Sequence, residues 1–257
     1  MAPTDAVEVI EVNGEPATRA TLRVPALSGY GHFTAMQVRG GRVRGLELHL
    51  ARLDSATREL FGAGLAGERV RELLRHALRE VADASARVYV HWPEGEEDAR
   101  VMVTVRPPSV KDGRPHGLMS VPFAREVPHI KHLGGFAQTY HLLRAERAGF
   151  DEALLTAPGG LVTEGAITNI AFWDGTHVVW PDAPSLLGIT MALLEPRLPS
   201  VRRPVTLAGL SSYASAFITN SQGIAPVGRI DDVEFTVDAE LMGTVAAAYE
   251  AVEWDVI

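Results

Sequence analysis

The sequence predicts an α/β (α+β) protein in two domains, a smaller N-terminal α/β domain and a larger, strand-rich C-terminal one. Three observations carry this. The chain has 257 residues, more than the roughly 100 to 200 of one ordinary domain. Its first half mixes short alternating segments with two helical stripes, whereas the second half is mostly strand with helices inserted. Between them, PPSVKDGRPHG, from Pro107 to Gly117, is polar, rich in Pro and Gly and almost without apolar residues, as linkers are. The expected division is 1–107, a linker at 108–117, and 118–257. Strands and helices do not alternate regularly, which argues against a doubly wound sheet or a (β/α)₈ barrel.

Taken in order, Val7 to Val24 alternates loosely around Asn13-Gly14, a turn pair that tolerates positive φ, and reads as two strands. Phe33–Val38 and Arg42–Leu46 flank Gly40-Gly41 as a second hairpin. Leu46, Leu50, Leu53, Thr57, Leu60 and Phe61 then fall near helical spacing, with Gly62 and Gly64 as stops. From Glu68 to Asp83, an apolar stripe of Val70, Leu73, Leu74, Ala77, Leu78 and Val81 predicts a second helix. Strands follow at Arg87–Trp92 and Arg100–Arg106, joined by the acidic loop EGEEDA. Beyond the linker come a strand at Leu118–Phe123, a helix from Gly135 to Ala148, and strands at Glu152–Thr156 and Thr168–Trp173. Asp174-Gly175 turns the chain into HVVW. Helices are expected from Ile189 and from Asp238 to about Val252.

Composition excludes several classes of function. Apolar residues make up 46% and charged residues 22%, ordinary globular usage. The net charge is −8, and no basic block could track a phosphate backbone, so no nucleic acid partner is expected. The absence of cysteine removes disulfides, thiolate metal sites and a cysteine nucleophile. An acidic start without a signal pattern, and no apolar run near the roughly 18 residues of a membrane span, point to a cytoplasmic protein with no membrane partner. His129 and His132 lack a third ligand at helical spacing, so no metal is expected. There is no GxGxxG after the first strands, no GxxxxGK[ST] and no GxSxG.

What remains is a string of six segments: HLARL, IKHLGGF, RAGFDEALL, TEGAITNIAFW, LLGIT and FITNSQGIAPV. In this order and at these separations they resemble the class IV, fold-type IV enzymes that use pyridoxal 5'-phosphate (PLP): branched-chain aminotransferases, D-amino-acid aminotransferases and 4-amino-4-deoxychorismate lyases. The resemblance spans nearly the whole chain. It implies a homodimer, with the cofactor in a cleft between the two domains.

The cofactor presents an aldehyde, a pyridine nitrogen and a dianionic phosphate, and each needs its own partner. The resemblance makes Lys131 the Schiff-base lysine, which also moves the α-proton. Glu164 is the partner of the pyridine nitrogen, where a carboxylate favours the protonated ring. Arg52 is a charge-assisted phosphate donor, joined by the backbone amides of Ile189 and Thr190 and by Asn220 and Ser221. Asn169 belongs to the same cofactor-binding set.

Two positions depart from the family pattern. Phe136 stands where branched-chain enzymes carry a tyrosine that meets the cofactor's phenolic oxygen. Glu94 lies where lyases and D-amino-acid enzymes carry a hairpin arginine. GHFTAMQV resembles the lyase pattern Gly-x-Phe-Thr, which would make Thr34 a substrate-side hydroxyl. The expected activity is amino transfer between an amino acid or amine and a 2-oxo acid. The alternatives are the lyase reaction and a non-catalytic PLP-binding or scaffold protein.

Overall fold

The computed structural model describes residues 9–257. They form two compact units, 9–109 with Ile130–Gly135 and Glu253–Ile257, and Val110–His129 with Phe136–Val252.

In the first unit, β1 (Val9–Val12) and β2 (Glu15–Pro16) form the hairpin that Asn13-Gly14 predicts, with both turn residues at positive φ (53° and 84°). Val7 lies outside the described residues. The second strand of the expected pair is short because residues 19–27 are helical instead. Thr18 caps this helix, α1 (Arg19–Leu27): its hydroxyl accepts from Thr21 N at 3.2 Å, and the Thr21 hydroxyl accepts from Thr18 N at 2.8 Å. That reciprocal cap satisfies amides a helix start would otherwise leave bare. No residue of α1 is buried, so there was no apolar stripe to read.

β3 (His32–Val38) and β4 (Arg42–Arg44) lead into α2 (Leu46–Phe61), and α3 (Gly67–Ala77) follows. The third helix stops six residues short of the expected Asp83. Arg79 folds back so that Nη1 donates to His76 O (2.7 Å) and to Glu11 (2.9 Å), taking a carbonyl that a further turn of helix would use. β5 (Ala84–His91) and β6 (Arg100–Arg106) complete an antiparallel sheet ordered β2-β1-β6-β5-β3. Burial alternates along β3 and β5, as a half-covered sheet requires. Met36, Val38, Val88 and Val90 pack with Leu46, Leu53, Val70 and Leu74 from α2 and α3 in one core. Residues 130–135 extend this unit: Phe33 N donates to Lys131 O (2.9 Å) and Leu133 N to Gly31 O (2.8 Å).

The second unit begins with the parallel pair β7 (His116–Val121) and β8 (Glu152–Ala157), linked through α4 (Phe136–Arg147). Next come β9 (Leu161–Gly165), β10 (Asn169–Trp173), β11 (Val178–Pro181), α5 (Ile189–Leu194), β12 (Ser200–Arg203), β13 (Ser215–Asn220), β14 (Gly223–Ile230), β15 (Val233–Glu234) and α6 (Ala239–Glu250). A last strand, β16 (Trp254–Val256), returns to pair with β4 in the first unit. The large sheet runs β12-β11-β10-β13-β14-β7-β8-β9, with β15 on β14. It curls: β9 pairs with β8 at one end of that order, yet Val162 N donates to Val205 O (2.8 Å), beyond β12 at the other end. Phe172, Trp180 and Phe217 are fully buried on its two faces. This strand-rich unit with few helices agrees with the fold class expected from the sequence.

Candidate active site

In the first unit, Lys131 is placed by its backbone. The bond from Phe33 N and the bridge between His32 and His132 lay the lysine segment along β3, and its Nζ stands 4.7 Å from the centre of the Phe33 ring. An ammonium over an aromatic face is held electrostatically while most of its stem stays in apolar surroundings. Ile130, just before it, is buried.

Arg52 is half-buried on α2. One turn earlier on that helix, His49 is buried and shares a 2.6 Å hydrogen bond, through Nδ1, with the Thr34 hydroxyl. Burial above all, and then the positive charges of Arg52 and Lys131, push the His49 imidazole down to about 3. It is neutral at physiological pH, so it adds no third cation beside the lysine and the arginine. Thr34 is fully buried on the sheet face that packs against α2, with its hydroxyl on His49. Glu94 is exposed in the loop between β5 and β6; that loop is tied instead by Glu96, which accepts from Arg100 Nε (2.8 Å) and, through its backbone carbonyl, from Trp92 Nε1 (2.9 Å).

In the second unit, one network gathers most of the remaining residues. Glu164 is the penultimate residue of β9 and is buried. Its Oε1 accepts from Arg125 Nη1 at 3.3 Å and its Oε2 from Leu186 N at 3.2 Å. Each carboxylate oxygen offers about two acceptor positions. Asn169, at the start of β10, donates from Nδ2 to Leu186 O at 2.7 Å, so its amide fixes the loop that fixes Glu164. The same amide explains Gly188: a Cβ there would overlap Asn169 Oδ1. Gly188 N-caps α5, and Thr190 Oγ1 donates to Asn220 O at 2.8 Å, joining the two loops expected to hold phosphate. Asn220 Oδ1 accepts from Gln222 N (2.9 Å) and shapes the turn through Ser221. Phe136, the first residue of α4, is 79% exposed and stacks on Tyr140 one turn later.

Sequence reasoning missed Arg125. Its guanidinium forms a buried ion pair with Glu164, and Nη1 also donates to Pro128 O at 3.3 Å. The tight turn this closes holds Val127 at φ 47°, a conformation a β-branched residue rarely adopts. Such strain persists only where surrounding contacts enforce it, and it concentrates at functional sites. The one available signal was a buried carboxylate needing a cation, which appears only once the fold is known.

Chemically, the chain holds an amine beside an arginine in one unit. In the other it holds an oriented, ion-paired carboxylate and a pair of coupled loops, one of which opens α5. An aldehyde, a basic ring nitrogen and a phosphate call for these donors, so the residues fit the cofactor that the motifs implied. Among the described residues, no cluster of three or more His, Asp or Glu could hold a metal ion, and no helix is long and apolar enough to cross a membrane.

Residues 31–230 match the family model for amino-transferase class IV. Among solved structures, 4-amino-4-deoxychorismate lyase from Pseudomonas aeruginosa is 26% identical, with 95% of this chain and 99% of that one covered and a TM-score of 0.81. The branched-chain aminotransferase from Thermoproteus uzoniensis with norvaline is 18% identical, covering 96% and 95% at a TM-score of 0.82. A hypothetical aminotransferase from Mycobacterium tuberculosis in its PLP-bound form is 18% identical, covering 95% and 98% at 0.80. A search of curated proteins gives no match. With the family model spanning most of its length, the chain belongs to the class IV aminotransferases, enzymes that depend on pyridoxal phosphate.

Proposed function

We propose that this protein is an aminotransferase that moves an amino group between an amino acid or amine and a 2-oxo acid. The observation that carries the reading is the network centred on Glu164. A carboxylate held at both oxygens by Arg125 and Leu186 N is an oriented anion, suited to keeping a pyridine nitrogen protonated. The bound cofactor supplies an electron sink for the electrons left when the α-proton departs.

The rest follows from this chain's own groups. With the cofactor bound, Lys131 would be the amine that holds its aldehyde end, and its Nζ would take up and return the proton at the substrate's α-carbon. Arg52, the amides of Ile189 and Thr190, and Asn220 with Ser221 hold the phosphate. Asn169 acts on the backbone at Leu186 and so orients Glu164. The half-burial of Lys131 against Phe33 limits water around the amine. Glu94 lies toward the substrate and disfavours dicarboxylic donors, an assignment that rests on the acidic hairpin, and the chain works as a homodimer, which rests on the family resemblance.

The lyase reaction is the second reading, favoured by the 26% identity to the Pseudomonas aeruginosa lyase. Thr34 speaks against it, because its hydroxyl is buried on His49. A two-step experiment separates the readings. An amino donor alone should shift the cofactor's visible absorbance, and a 2-oxo acid should restore it. Release of pyruvate and 4-aminobenzoate from aminodeoxychorismate, with no second substrate and no response to amino donors, would replace transamination with the lyase reading.

A further inference from the structure

A carboxyl outside the proposed set sits directly beneath the Glu164 hairpin. Glu152, the first residue of β8, is 2% exposed. Its Oε1 accepts from Ala153 N at 3.1 Å and its Oε2 from the Thr168 hydroxyl at 3.3 Å. Thr168 closes the tight turn between β9 and β10, with Gly165 N donating to Thr168 O at 2.8 Å. The residues flanking this turn are Glu164 on one side and Asn169 on the other. The space under the turn is full: a Cβ on Gly165 would overlap the Thr168 hydroxyl and press on Glu152 Cδ at 3.3 Å. A charged or titrating side chain buried at this position costs stability that any apolar residue would spare. A local purpose is needed to explain it.

We propose that Glu152 is a positioning residue for Glu164: its carboxyl grips Thr168 and Ala153, and thereby sets the turn that delivers Glu164 to the ring nitrogen and Asn169 to the Leu186 loop. This rests on the assignment of Glu164 to the ring nitrogen. Lys111 is the cation that acts most on Glu152. Its own backbone N donates to Gln222 O at 3.0 Å, in the turn beside Asn220 and Ser221.

The test compares the affinity of the full-length apoprotein for pyridoxal phosphate with that for an analogue carrying carbon in place of the ring nitrogen. The ratio of the two dissociation constants reports the contact to Glu164 and not general folding. Glu164→Ala should collapse the ratio. Glu152→Ala should lower it about tenfold, within the coupling range of residues in one hydrogen-bonded network, and should add nothing in the Glu164→Ala background. Glu152→Gln, whose amide oxygen still accepts from Ala153 N while its Nε2 can donate to the Thr168 hydroxyl, should stay near wild type. If Glu152→Ala does not fold, Thr168→Val carries the test and should lower the ratio. A wild-type ratio in Glu152→Ala, or in Thr168→Val where the alanine variant is lost, overturns the proposal if Glu164→Ala has collapsed it. An unchanged ratio in Glu164→Ala instead refutes the ring-nitrogen assignment itself.

Discussion

Acid should weaken this fold through His49, by an amount that follows from its surroundings. The imidazole is buried against Thr34, and burial with the charges of Arg52 and Lys131 holds it down to about 3. In the unfolded chain it titrates near 6.5. Its folded value is the lower one, so the unfolded state takes up the extra proton, and stability is lost as pH falls from 6.5 toward 3. Between pH 7 and pH 5 the loss is about 2 kcal/mol, at about 1.4 kcal/mol per pH unit. Glu152 acts in the opposite sense. Burial pushes it up to about 7, against the partial opposition of Lys111, so its contribution is present below its ordinary range and lost as pH rises through 7. Over the same interval it returns about 2 kcal/mol. Substitution separates the two. Relative to wild type, His49→Asn should gain about 2 kcal/mol on going from pH 7 to pH 5, and Glu152→Gln should lose about as much. Urea unfolding of the apoprotein, followed by far-UV circular dichroism at pH 5, 6 and 7, reads both differences. A constant offset between His49→Asn and wild type across that range would show that His49 is not a buried neutral imidazole.

Other substitutions test the rest of the site. Arg125→Met should cost roughly 3 to 5 kcal/mol by stranding the buried Glu164 carboxylate, and adding Glu164→Gln should recover much of it; thermal melts of the four proteins read the cycle. Val127→Gly should raise stability by about 1 kcal/mol, since glycine adopts positive φ without the strain of a β-branched residue; an unchanged or lower melting temperature would refute stored strain at this turn. Gly188→Ala should push Asn169 off Leu186 and weaken cofactor binding by about an order of magnitude, the effect of losing one buried hydrogen bond, which equilibrium dialysis of pyridoxal phosphate checks. Glutamate turnover in wild type, compared with neutral donors and with Glu94→Gln, tests Glu94: like charges about 4 Å apart cost on the order of 1 to 4 kcal/mol, and efficient glutamate use that the substitution leaves unchanged would remove Glu94 from the substrate side.

Features written in local spacing were legible in the sequence. Asn13-Gly14, the stripe of α2 and the strand at Arg100–Arg106 each follow from the neighbours of each residue, and the structure has all three. Failures came where a single long side chain decides a boundary. Arg79 ends α3 by reaching Glu11, a residue 68 positions away, and no helical periodicity contains that contact. α1 was hidden because a helix with no buried residue need carry no apolar stripe, and its Thr18 cap is the local signal. The candidate site divides in the same way. Lys131, Glu164 and the loops at Gly188 and Asn220 stand in recognisable motifs. Arg125, His49 and Glu152 act through buried pairs whose partners lie 39, 15 and 16 residues away, so their importance appears only when the chain is folded.

The chain contains two lysines, Lys111 and Lys131, and this makes the central claim open to a direct measurement. Borohydride reduction of the protein with bound pyridoxal phosphate makes the bond to the reacting amine permanent, and peptide mapping then locates it. The account predicts the label on Lys131, with Lys131→Ala losing the covalent adduct while retaining phosphate-anchored binding. A label on Lys111, or an undiminished adduct in Lys131→Ala, would contradict it.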